Sequence, residues 1–215
     1  MARCAAAAAG MSRHEAVLAA PGPWRVALNV ASYQAGWTAC VLGVAYARPW
    51  LGVAVALPLL ALHFARFSGS RGQPPGALRR ELALVVTVTA LGFALDTAQA
   101  ALGVFRFAEA GAAAWVCPPW LVAIWALFGT TLNTSLHWLR RRYALAALLG
   151  ALGGPLAYGA GWRLGAVNLG WPPAWALGEL ALVWAVVVPA LVWLAARPLA
   201  AAPPARQFSA ARGQA

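Results

Sequence analysis

Apolar residues gather into six runs separated by short polar breaks: Val26–Tyr46, Trp50–Ala65, Glu81–Val104, Pro118–Leu139, Tyr143–Trp162 and Pro173–Ala196. A helix needs about 20 residues to cross ~30 Å of hydrocarbon, and the runs fit that length, the second being short. A backbone in lipid must satisfy its own hydrogen bonds, so such runs fold as helices. The pattern predicts an all-α protein, a polytopic bundle of six transmembrane helices over residues 26–196. The extension at 1–25 (an Ala run, Met11, then Pro21-Gly22-Pro23) lacks periodicity and reads as disordered or interfacial, and the Pro/Ala/Arg tail at 197–215 as disordered. Either Met1 or Met11 could start the chain. A signal-peptide reading of Leu18-Ala19-Ala20 is weak, because Arg13-His14-Glu15 interrupts any apolar stretch before it. The longest loop, Arg66–Arg80, reads as a solvated linker, so no loop could hold a soluble domain.

Charge orients this bundle. The chain has no lysine, and 13 of its 16 arginines fall on one side of the six-helix arrangement. Arg3, Arg13 and Arg25 precede the first run, Arg66, Arg71, Arg79 and Arg80 join the second to the third, Arg140–Arg142 the fourth to the fifth, and Arg197, Arg206 and Arg212 follow the sixth. Only Arg48, Arg106 and Arg163 lie opposite. Basic loops stay in the cytoplasm during insertion, which places both termini there. A pI near 11.4 would suggest nucleic acid in a soluble chain, but topology already requires this charge. Anionic lipid headgroups are the expected partner of the arginine-rich face, and nucleic acid is not. The three cysteines have no CxxC spacing and make neither a disulfide framework nor a metal site. Nine tryptophans (Trp24, Trp50, Trp115, Trp120, Trp138, Trp162, Trp171, Trp175 and Trp193) fall near the run ends, where an indole prefers the interface. Trp37, Trp125 and Trp184 fall well inside, packing in the bundle or facing lipid.

Polar side chains inside the runs are where chemistry is sought, because a carboxylate in hydrocarbon costs several kcal/mol unless paired, protonated or hydrated. At ~1.5 Å per residue, Asp96 falls about two thirds of the way across the third run and Glu179 about 9 Å below the outer boundary of the sixth. Gln99, Tyr158, Arg106 and Arg163 share that outer region. Asp96 reads either as a structural ion pair with Arg106 or Arg163, or as a working residue. A second, inner cluster comprises Asn29, Tyr33, Gln34 and Trp37 on the first helix, with Thr130, Asn133, Thr134 and His137 in a helical stripe on the fourth. Such stripes are more often interhelical hydrogen-bond glue than sites. His63 and His137 read as interfacial tips, and Glu81 as a solvated acid at a helix start. In the fifth run, Gly150 and Gly154 have the spacing of a close helix crossing. Pro155 frees the carbonyl of Ala151 and predicts a kink, read as packing or as a broken helix lining a cavity. No repeat relates the first three runs to the last three.

Several segments carry a resemblance. Tyr33-Gln34-Ala35-Gly36-Trp37 with Cys40-Val41-Leu42-Gly43, then Thr131–Leu139, then Gly153-Gly154-Pro155-Leu156-Ala157-Tyr158 with Arg163-Leu164-Gly165-Ala166-Val167, resemble an uncharacterised family of bacterial inner-membrane proteins, a domain of unknown function, from about Asn29 to Ala195. The resemblance implies a six-helix membrane fold in a bacterial inner membrane and no particular reaction. In that pattern the position of Tyr33 is often Phe, which argues against a required phenol there.

Two classes of function remain open. In the preferred one the protein acts on or handles a lipid or isoprenoid, with Asp96 as acid/base or metal partner, Asn133 and His137 as positioning groups, and Gln34, Trp37, Gln99, Tyr158, Arg163 and Glu179 lining a cavity. In the other it is a small transporter or a membrane accessory protein. A transporter of six helices without a repeat would need a second copy. There is no HExxH, no DDxxD-like cluster and no readable Ser/His/Asp set, so the sequence neither makes the chain an enzyme nor names a cofactor.

Overall fold

The computed structural model describes residues 21–68, 76–108 and 114–197. The sequence-predicted extension at 1–25 and tail at 197–215 lie almost wholly outside these residues. Among the described residues the chain forms six α-helices: α1 Pro23–Ala45, α2 Trp50–Ser68, α3 Ala77–Ala101, α4 Pro119–Thr131, α5 Tyr143–Arg163 and α6 Pro173–Ala196. Two three-residue strands, β1 Phe105–Phe107 and β2 Val167–Leu169, follow α3 and α5. α1, α4 and α6 each open with proline in the first turn, where the missing N–H would have had no helical partner. α3 and α5 stop at Gly103 and Gly165, whose φ of 78° and 81° turns the chain into the strands at little steric cost.

The fourth run departs from expectation. Its helix ends at Thr131, and the chain continues through turns into a 3-10 segment, His137–Leu139. The hydroxyls of Thr130 and Thr131 donate to the carbonyls of Leu127 and Phe128 at 2.7 and 2.6 Å, the Thr134 N–H turns back to Thr131, and Asn133 bonds elsewhere. Polar side chains here offer the backbone alternatives to the helix. The expected stripe of Thr130, Asn133, Thr134 and His137 therefore does not persist as one helix face. α5, in contrast, runs unbroken through Pro155.

Three helices, α3, α5 and α6, are long and apolar enough to cross a membrane, while α2 and α4 are shorter apolar helices. Only 33, 28 and 22% of the apolar windows of α3, α5 and α6 are buried within the chain, so most of their hydrocarbon faces outward. Val86, Leu156, Leu182 and Val186 all stand exposed. Soluble proteins seldom expose so much continuous apolar surface to water. α4 is the central helix, packed on α1, α2 and α3, and α5 pairs tightly with α6.

The structure also reveals an internal repeat of two helices. Each of α3 and α5 is followed by Leu-Gly, a short strand, and a Pro-Pro that opens the next helix. Aligning Gly103 with Gly165 without a gap sets Gly92 against Gly154, Asp96 against Tyr158 and Arg106 against Asn168. The strands pair antiparallel with Arg106 opposite Asn168, so the ladder is centred on equivalent residues. The hydrogen bonds around it match as well: Ala108 N–H to Ala166 O is answered by Gly170 N–H to Val104 O, and Val104 N–H to Gln99 O by Ala166 N–H to Gly161 O. The hairpins α3–α4 and α5–α6 are thus related by a pseudo-twofold axis. α1 and α2 cover the α4 side.

Candidate functional site

A cleft of about 420 Å³ runs between α1 and α4 on one side and α5 and α6 on the other. It continues into a narrower cavity of about 50 Å³ toward the strand end of the bundle, the two sharing Tyr33, Trp37, Phe128, Ala157 and Trp184. Its floor along α5 runs from Leu149 to Gly161, about 18 Å at ~1.5 Å per residue. The walls are aromatic because the tryptophans that fall inside the apolar runs all converge here: Trp37, Trp125 and Trp184. Trp125 and Trp184 stack with centroids 5.1 Å apart and planes 11° from parallel, and Phe128 meets both edge-on.

Glycines make room for these indoles. A Cβ at Gly92 would overlap Trp125, one at Gly154 would overlap the Trp184 side chain, and one at Gly150 would overlap the Trp184 carbonyl. Gly92 and Gly154 are equivalent in the repeat, so each hairpin seats a tryptophan of its second helix on a glycine of its first. Gly153 differs: it lines the cleft, and a Cβ there would meet nothing within 4 Å.

Asp96 lies behind this wall, fully buried. Its carboxylate accepts from Trp125 Nε1–H at 2.6 Å and from the Tyr158 hydroxyl at 2.5 Å. Its partners are an indole and a phenol, so the ion pair expected with Arg106 or Arg163 is replaced by two hydrogen bonds. Both arginines are exposed at the strand end. The physical reason is reach: Asp96 and Tyr158 are equivalent positions facing across the pseudo-twofold, whereas the arginines follow or leave the helix ends. Asp96 thus fixes two cleft-wall side chains without lining the cleft itself.

Nearer the strands, buried Gln99 donates to both oxygens of half-buried Glu179 at 3.1 and 2.8 Å, tying α3 to α6. Gln99 Oε1, Trp120 Nε1 and Trp184 Nε1 are buried without a hydrogen-bond partner among the described residues. The two indoles belong to the cleft wall and leave unpaired donors there.

The opposite, arginine-rich end holds a polar network that sequence reading undervalued. Glu81 is buried at 1% exposure rather than solvated, because α3 starts a turn earlier, at Ala77. It bonds His63 Nε2 on α2 at 3.0 Å and accepts from Asn133 Nδ2 at 2.7 Å; Asn133 Oδ1 in turn accepts from Arg140 at 2.7 Å. Partial burial pulls the Arg140 guanidinium below its ordinary value, and the Glu81 charge opposes that shift. Asn29 donates to Thr130 Oγ1 at 3.0 Å and accepts from Ser135 at 2.8 Å, locking α1 to the turn after α4.

The sequence-predicted residues therefore divide. Trp37, Gln34 and Tyr158 line the cleft. Asp96 supports its wall, Gln99 and Glu179 form a separate brace, Asn133 belongs to the Glu81 network, half-buried His137 lies in the 3-10 turn, and Arg163 is exposed. Asp96, Asn133 and His137 do not assemble into one constellation. Among the described residues, no three His, Cys, Asp or Glu side chains gather as a metal site. Trp125, Trp184, Phe128 and Gly153 were missing from the expected cavity. Three tryptophans inside apolar runs were the available signal, together with glycines one helical turn apart.

No curated protein and no solved structure is detectably similar to the chain. A family described as a protein of unknown function, DUF2878, matches residues 26–190, more than three quarters of the sequence. The chain belongs to the DUF2878 family.

Proposed function

We propose that this is a multi-pass protein of a bacterial inner membrane, with both termini cytoplasmic, that holds the chain of a membrane lipid or isoprenoid in its aromatic cleft. The observation that carries the reading is the cleft itself: about 420 Å³, walled by Trp37, Phe128 and Trp184, and opening beside exposed Gly153 and Leu156 on the outward face of α5. Ligand pockets are of order 300–1,000 Å³ and mostly apolar with a few polar groups, which describes this one. Its ~18 Å floor is close to the ~15 Å depth of one leaflet, half of ~30 Å of hydrocarbon. The outward-facing apolar windows of α3, α5 and α6 and the one-sided arginines support the setting.

The reading is one of binding. Asp96 spends both carboxylate oxygens on the wall, so it serves as a positioning residue. A comparison of the lipids of a deletion strain with those of its parent tests the role: an altered level or distribution of one lipid class is expected, and an unchanged lipidome would shift the function to transport or assembly. That second reading has one observation in its favour, the two-helix repeat. Parallel repeats about an axis along the membrane normal build several transporters, with sites at the repeat interface.

A further inference from the structure

Three arginines directly follow the residues that line one end of the cleft. Leu136 and Leu139 line its arginine-rich end, and Arg140, Arg141 and Arg142 follow Leu139 directly before α5 begins at Tyr143. The Arg141 and Arg142 side chains are exposed, and their guanidiniums have no hydrogen-bond or ion-pair partner among the described residues. Arg140 is anchored through Asn133, with its Nε buried and unpartnered. Trp138, 45% exposed, marks the level at which an indole meets headgroups. Among the described acidic residues, Glu81 is buried and reaches Arg140 through Asn133, Asp96 lies deep, and Glu179 is at the strand half of α6, so none pairs with Arg141 or Arg142.

Building on the lipid-binding reading, we propose that the occupant is an anionic membrane lipid of the cytoplasmic leaflet. Its phosphate sits at Arg140–Arg142 and its hydrocarbon chain lies in the cleft along α5. Guanidinium groups suit phosphate because several N–H donors fan toward its oxygens. The site is bipartite. The headgroup and the chain each contribute, and the fixed distance between the arginine turn and the aromatic wall selects a ligand that has both.

The test is titration of the purified full chain in a neutral detergent with phosphatidylglycerol, phosphatidylcholine of the same acyl chains, or glycerol 3-phosphate, read by native mass spectrometry. One phosphatidylglycerol should bind, roughly tenfold or more tighter than phosphatidylcholine, and glycerol 3-phosphate should not compete at equal concentration. Arg141→Ala with Arg142→Ala should remove most of that preference, weakening phosphatidylglycerol binding far more than phosphatidylcholine binding. Arg79→Ala with Arg80→Ala removes the same charge elsewhere on that face and should preserve the preference. Equal binding of the two lipids would overturn the headgroup assignment and leave chain binding standing. So would equal loss in both double variants, which would mark diffuse surface charge. Glycerol 3-phosphate binding as well as the lipid would make this a free-phosphate site. Failure of both lipids to bind would remove the lipid-binding reading itself. The two exposed guanidiniums make no hydrogen bond or ion pair among the described residues, and matching thermal unfolding of the variants verifies that their loss leaves the fold intact.

Discussion

Gly153 and Gly154 are neighbours with opposite environments, and replacing each by leucine separates cleft from crossing. In a helix, leucine is favoured over glycine by about 0.8 kcal/mol, a gain common to both sites. At Gly154 even a Cβ overlaps the Trp184 indole, so leucine must displace that ring. Overpacking of this kind costs about 1–3 kcal/mol. Moving Trp184 also breaks its stack on Trp125, about 0.5–1.5 kcal/mol more. The net expectation for Gly154→Leu is a loss of about 1–4 kcal/mol, lowering the unfolding midpoint by roughly 2–15 °C for a chain of this size. Gly153→Leu points into open cleft and should be neutral or stabilising by up to about 1 kcal/mol. Thermal unfolding in detergent gives the stabilities, and near-UV circular dichroism reports the stacked indoles. If the two variants unfold together with the same aromatic signal, the Gly154–Trp184 crossing is not as close as described.

Three further perturbations follow. Asp96→Leu should cost about 2–6 kcal/mol by stranding the Trp125 N–H and Tyr158 O–H, at about 1–3 each, whereas Asp96→Asn retains hydrogen bonding and should cost much less; equal stability of the Asn and Leu variants in detergent would show that those bonds do not hold the wall. Glu81→Ala should lose about 2–4 kcal/mol by leaving its half-buried partners His63 and Asn133 without it, and Glu81→Gln should recover at least half of that; an unaffected midpoint for the Ala variant would mean the network is hydrated. A reporter that needs the cytoplasm should be active when fused after Arg142 and inactive after Val167, since α5 lies between them; the same activity at both sites would show that α5 does not cross.

Most of the helical framework was legible because apolar runs of membrane length leave few alternatives. Five of the six helices sit close to their runs, although α3 begins four residues before Glu81. The fourth run misled for a local reason: hydropathy does not register that Thr130 and Thr131 bond carbonyls of the last turn while Asn133 and Ser135 are drawn to Glu81 and Asn29. The repeat escaped because a match was sought between the first three runs and the last three, while the true unit is a two-helix hairpin marked by Leu-Gly and Pro-Pro. Depth placed Asp96 and Tyr158 at one level, yet depth carries no azimuth. It could not show that Asp96 faces an indole and a phenol instead of an arginine. The cleft depends on side chains from four helices converging, a tertiary fact to which Trp37, Trp125 and Trp184 supplied the one sequence hint.

Lipid retention by the purified chain bears most directly on the central claim. Wild type, Gly153→Phe and Leu148→Phe are extracted in the same mild detergent and weighed intact. Gly153→Phe fills the cleft, whereas Leu148, 55% exposed on α5 and not part of the cleft lining, is the matched control. Wild type and Leu148→Phe should each carry one long-chain lipid, and Gly153→Phe, folded to the same midpoint, should carry none. Equal retention by all three would contradict a lipid held in the aromatic cleft.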